Sequence, residues 1–132
     1  MRILVLALLL VPALASAEGP VVKQAACTLK WDVPQLNDDG TNLGDLKEFG
    51  VYVAADPTTL TAPVAVVPAT AADPAAGATA SWSCVGLPIG QQSAQVDAVN
   101  MTGKRSPRSA PFPFTVAADA SPQAPSNLRL GP

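Results

Sequence analysis

Turn-forming residues interrupt this chain too often for a long regular element to survive between them. Asn37-Asp38-Asp39-Gly40, Ala55-Asp56-Pro57, Asp73-Pro74, Pro88-Ile89-Gly90 and Met101-Thr102-Gly103 punctuate it. Each of these residue types stops or turns the backbone for its own steric reason. The intervening segments are short and alternate apolar with polar residues. Residues 27–31 alternate in this way, and in 49–53 Phe49, Val51 and Val53 fall on one face, which predicts half-buried strands. Further strands are predicted at 64–67, 79–85, 93–99 and 112–116. Short strands between such turns imply an antiparallel sandwich or barrel. Residues 69–80 have a helix-like alanine content, but Pro68, Pro74 and Gly77 interrupt them, so the stretch reads as a loop.

The chain has 132 residues, enough for one domain with a core. It contains no histidine, which excludes Ser-His-Asp and Cys-His catalysis and the usual His-bearing zinc sites. Eight basic residues against ten acidic ones give no broad positive field, so nucleic acid is not an expected partner. Arg2, the apolar run over residues 3–14 and Ala15-Ser16-Ala17 read as a signal peptide cleaved after Ala17. That run is too short to span a bilayer as a helix, and no second one follows. The expected product is a secreted or periplasmic protein with no membrane span. In an oxidising compartment Cys27 and Cys84 read as a structural disulfide, with free thiols or an intermolecular bridge as the alternatives.

Leu29-Lys30-Trp31-Asp32-Val33-Pro34, Asp39-Gly40-Thr41, Asp45-Leu46 and Phe49-Gly50-Val51-Tyr52-Val53 resemble strands B and C of a fibronectin type III domain of the bacterial variety. Gly86-Leu87-Pro88-Ile89-Gly90 resembles that family's E to F corner. Ala98-Val99-Asn100, Gly103 and Ser106-Pro107 resemble the end of strand F and the FG loop. The similarity covers roughly residues 22–116. It implies an all-β, seven-stranded antiparallel immunoglobulin-like β-sandwich over residues 18–117, followed by a Pro-rich tail at 118–132. It also sets Cys27 and Cys84 on neighbouring antiparallel strands, both facing inward with Leu29, Trp31 and Trp82, within disulfide reach. Two features depart from the family. Gln92 stands where a corner tyrosine is usual, so that hydrogen bond is either lost or supplied by an amide, and the disulfide itself is atypical.

Candidate chemistry is sparse, and no cofactor is expected. Asp32, Asp38, Asp39, Asp45 and Glu48 cluster in or beside the BC loop of the resemblance, but the closing glutamate of an EF-hand loop is missing because Leu46 occupies its place. These carboxylates read as a solvated turn, and a sandwich of this size offers no cleft for glycoside hydrolysis. Lys104, Arg105 and Arg108 form the one basic cluster, placed by the resemblance in the FG loop. The resemblance thus sets acidic Asp38, Asp39 and Asp45 beside Lys104, Arg105 and Arg108 at one pole. Those charges either stay solvated or steer a protein or glycan partner. Trp31 and Trp82 are expected in the core, and Tyr52, opposite Phe49 and Val51, as the exposed aromatic. Asn100-Met101-Thr102 matches a glycosylation acceptor but also a turn.

The ends pose a separate question. Few residues precede Cys27, so strand A should be short or poorly formed, yet the tail segment containing Pro125, Leu128 and Leu130 resembles such an opening strand. It reads either as a linker or as a strand donated to the edge of another molecule, giving a homo-oligomer by strand exchange. The functional expectation is a non-catalytic exported module binding a protein or glycan through its loops, or a structural subunit assembling through edges and tail.

Overall fold

A computed structural model describes residues 19–70 and 77–132. The leader expected at 1–17 and the part of the alanine-rich stretch at 71–76 lie outside the described residues. Seven strands follow one another: β1 (Val21–Lys23), β2 (Thr28–Asp32), β3 (Leu46–Ala54), β4 (Ala65–Pro68), β5 (Thr79–Ser83), β6 (Gly90–Asn100) and β7 (Phe112–Ala117). They form a five-stranded sheet in the order β1-β7-β6-β3-β4 and a two-stranded sheet of β2 and β5. Among the described residues there is no α-helix, and none is long and apolar enough to cross a membrane.

The sheets face each other across a shared core. Alternation along β2 and β5 exposes Thr28, Lys30, Asp32, Ser81 and Ser83 and turns Leu29, Trp31 and Trp82 inward. They meet Val51, Val53, Ala94, Phe114 and Val116 of the larger sheet. A second cluster of Leu43, Leu46 and Phe49 continues the core, with the Trp31 ring edge-on to Phe49 at 5.4 Å between centroids. Cys27 and Cys84 are disulfide-bonded, with Cα atoms 4.9 Å apart, and both are buried. The bridge extends the β2–β5 ladder by one residue pair, and the Cys84 N–H donates to the Cys27 carbonyl.

The expectation of a wholly antiparallel sandwich is corrected at one strand. β1 pairs with β7 in parallel, Val21 opposite Thr115, so the five-stranded sheet is mixed. The cause is local: the chain turns between Lys23 and Ala26, and the Thr115 and Gln24 amides bond to Pro20 and Ala117 across the β1–β7 seam. Gly19 enters this seam at φ 62°, where a Cβ would collide with the Pro113 carbonyl. With β1 drawn to β7, β2 has one hydrogen-bonded neighbour among the described residues.

Beyond β7 the tail forms no strand. Among the described residues its last hydrogen bond to the body is the Asp119 carboxylate accepting from Ala25 N–H, and every residue from 118 onward is exposed.

Candidate functional site

The outer face of the five-stranded sheet holds a buried polar cluster that periodicity did not foretell. β3 and β6 set Gly50 opposite Asp97, and the Asp97 carboxylate fills the space that a Gly50 side chain would take: a Cβ there would run into Asp97 Oδ1. Asp97 Oδ1 accepts from Gly50 N–H at 3.1 Å and from Arg105 Nη1 at 3.0 Å, while Oδ2 accepts from Tyr52 Oη at 2.8 Å and from Arg105 Nη1 at 2.9 Å. Asp97 is 4% exposed and Tyr52 2%, whereas the Arg105 side chain is 43% exposed. A buried carboxylate is tolerated when its lone pairs are taken up in this way.

Arg108 completes the cover. Its guanidinium lies 3.7 Å over the Tyr52 ring centroid and donates to the carbonyls of Pro57 and Leu60, in and just after a 3-10 turn at Pro57–Thr59. Ser106 and Ser109, each directly after one of the two arginines, tie this segment to β6. Their amides donate to the Ala98 and Val96 carbonyls, and their hydroxyls accept from the Ala98 and Val96 amides. The segment from 105 to 109 therefore acts as a strap along the β6 edge, from which the two arginine side chains reach over the outer face.

Tyr52, expected as the exposed aromatic, is buried under this strap. Alternation assigned it correctly to the outer face; the cover comes from arginines 53 and 56 residues further on, a pairing that no local pattern encodes. Burial, then the hydrogen bond and the charge of Asp97, push its phenol above the ordinary tyrosine value. The hydrogen bond to Asp97 likewise raises the Arg105 guanidinium. A phenol held protonated stabilises the fold fully below its unfolded value of about 10, and that contribution is lost as pH rises through the folded value. Because this is the chain's one tyrosine, absorbance at alkaline pH should show a single phenolate titration above 10 in the folded protein. It should return to about 10 in denaturant and shift down in Asp97→Asn. A folded titration at 10 would contradict the buried hydrogen bond.

The structure brings the expected acidic and basic loops to one pole, where the Met101 N–H donates to the Asp45 carbonyl. Pro34, Leu36, Asp38, Asn100 and Lys104 help line a cleft of about 150 Å³ there. Asp39 is committed to its own turn: its carboxylate accepts from the Thr41 hydroxyl and amide, which hold its carboxyl below the usual range. Lys104 and Asp38 are exposed, whereas Arg105 and Arg108 are turned onto the sheet. No group of three or more acidic or cysteine side chains among the described residues is arranged to hold a metal ion. Gln92, at the corner position, donates its amide to the Pro88 carbonyl at 3.4 Å.

A larger concavity lies elsewhere, along the edge of β2 left open among the described residues. A groove of about 540 Å³ runs between β2 and the strap, with Leu29, Trp31, Phe49, Ala94, Val96 and Phe112 on its walls. Trp31 carries a buried indole N–H with no acceptor among the described residues. The Cys84 N–H to Cys27 carbonyl and Val33 N–H to Ala78 carbonyl bonds fix the ladder phase, so the odd-numbered residues of β2 bond to β5. The amides and carbonyls of Thr28, Lys30 and Asp32 therefore point to the open side. Sequence reasoning missed this groove because it results from β1 choosing β7 over β2. Pro125, Leu128 and Leu130 stand away from the body, the two leucines 100% and 99% exposed. In comparisons with known proteins, no family model, no curated protein and no solved structure matches the chain.

Proposed function

We propose that the chain is an exported, non-catalytic module of the fibronectin type III kind that works by binding an extended polypeptide segment along the open edge of β2. The observation that carries this reading is the coincidence of a strand edge unpaired among the described residues with an apolar groove beneath it. Main-chain groups on an edge give affinity to an added strand, and pockets for its alternate side chains give selectivity. The Cys27–Cys84 disulfide suits an oxidising compartment. The family reading draws support from seven strands in two facing sheets and from Gln92 bonding the backbone at the corner.

A test follows from the ladder phase. Lys30→Pro removes an outward N–H without touching the bonds to β5, and proline is tolerated at a strand edge. A panel of nonapeptides alternating valine with polar residues should shift the emission of Trp82→Phe, in which Trp31 is the remaining indole, to the blue. The response should vanish when Lys30→Pro is added, while the far-ultraviolet circular dichroism stays unchanged. Emission that ignores every peptide would remove the proposal.

A second reading, recognition of a protein or glycan through the loops, is favoured by the cleft beside Asp38 and Lys104. Charge reversal at Lys104 tests it cleanly, since this side chain lies outside the Asp97 cluster.

A further inference from the structure

We infer that the segment filling the β2 groove is the C-terminal tail of a second copy of this chain, residues 125–130, so that the protein assembles by strand donation. The inference rests on the edge-binding reading above and names its partner.

Among the described residues the tail offers an exposed alternating apolar segment, and the larger of the two mainly apolar concavities lies along β2, the other lying between β4 and β5. Leu128 and Leu130 are fully exposed and two residues apart, so an extended tail puts both on one face, with Asn127 and Arg129 on the other. That is the pattern required of a strand lying between a core and solvent. Pro125 precedes the alternation and Pro132 follows it, positions at which a strand tolerates proline.

Charge selects the register. The solvent face of β2 presents Thr28, Lys30 and Asp32. Placing Arg129 beside Lys30 sets like charges opposite one another, which is unfavourable, whereas placing it beside Asp32 pairs opposite charges. With Arg129 beside Asp32, Leu128 and Leu130 flank it on the core side, next to Trp31 and Val33, in either strand direction.

Direction favours donation from another copy. β7 runs antiparallel to β6, and the chain leaves it at Ala117 and Asp119, beside Gln24 and Ala25 and hence near the start of β2. A tail folding back onto its own groove would run from that end toward Asp32, parallel to β2. A tail from a second copy is free to enter antiparallel, the better-bonded arrangement. Since donor and acceptor are different surfaces, each copy both gives and receives a strand, and the assembly grows head to tail unless it closes into a ring.

The test compares the processed full-length chain with Leu128→Glu/Leu130→Glu, whose changes lie on fully exposed residues and leave the body intact. Light scattering should give the wild-type chain a concentration-dependent mean mass at least about twofold above the monomer, and the double variant the monomer mass. A synthetic peptide of residues 124–132 should then bind the double variant and shift its tryptophan emission, and Lys30→Pro should abolish that binding. Equal monomer masses for wild type and variant would overturn strand donation between copies, whether or not the peptide binds. If the alternating valine peptides bind but the tail peptide does not, the groove takes a foreign strand and this inference fails while the edge-binding reading stands. If neither binds, both fail.

Discussion

Replacing both cysteines with serine is expected to lower the unfolding free energy by about 4 kcal/mol, the chain-entropy value for a loop of this length. The bridge closes 57 residues, and it does so where the fold has least redundancy. β2 and β5 form a sheet of two strands that are distant in sequence, and a pair of strands is marginal on its own. Domains of this size are stable by only about 5 to 15 kcal/mol, so the loss takes a large share of the total. Urea denaturation of the oxidised wild type against Cys27→Ser/Cys84→Ser measures it. A fall below about 1 kcal/mol would show that Leu29, Trp31 and Trp82 hold the small sheet to the large one without covalent help, contrary to the loop-entropy argument.

The bridge was legible in the sequence because an even pair of cysteines behind a leader-like opening pattern reads as a disulfide. The strands were legible for a similar reason: period-two alternation at Phe49, Val51 and Val53 reports a core face whatever lies on the other side, and all three are buried. The cover over the other face was not legible. Tyr52, Asp97, Arg105 and Arg108 come from three separate segments, and each alone reads as surface. Only Gly50 hinted at the arrangement, as a glycine inside an otherwise β-favouring strand, which often marks a close approach. The resemblance placed Arg105 and Arg108 in a loop facing solvent, and their attachment to the sheet emerges only once β3 and β6 are in register. The groove was hidden for a different reason. It depends on which of two strands a three-residue segment, Val21–Lys23, joins, and such short pieces carry too little pattern to specify a partner.

Asp97→Ala is expected to cost about 3 kcal/mol, the range for breaking a buried charge pair, toward its lower end because Arg105 is half open to water and its charge is partly solvated. Two side-chain donors lose their acceptor at once, the Tyr52 hydroxyl and the Arg105 guanidinium, and the Gly50 amide loses its side-chain partner. Of these the Tyr52 hydroxyl is the most costly to strand, since it lies beneath the strap where water cannot replace the carboxylate. The companion change, Gly50→Ala, should also destabilise, because its Cβ meets the carboxylate. The two sites are in contact, so their effects should not add. Once Asp97 is alanine the closest obstruction is gone and a Cβ at Gly50 meets only Arg105 Nη1 at 3.1 Å and Pro63 Cβ at 3.3 Å, so Gly50→Ala should then cost less than it does in the wild type. A denaturation cycle over wild type, both single variants and the double variant would display this as a coupling energy above about 1 kcal/mol. Additive effects would mean that the Asp97 carboxylate does not occupy the gap left by the missing side chain, and the strap would lose its anchor in the physical account of this fold.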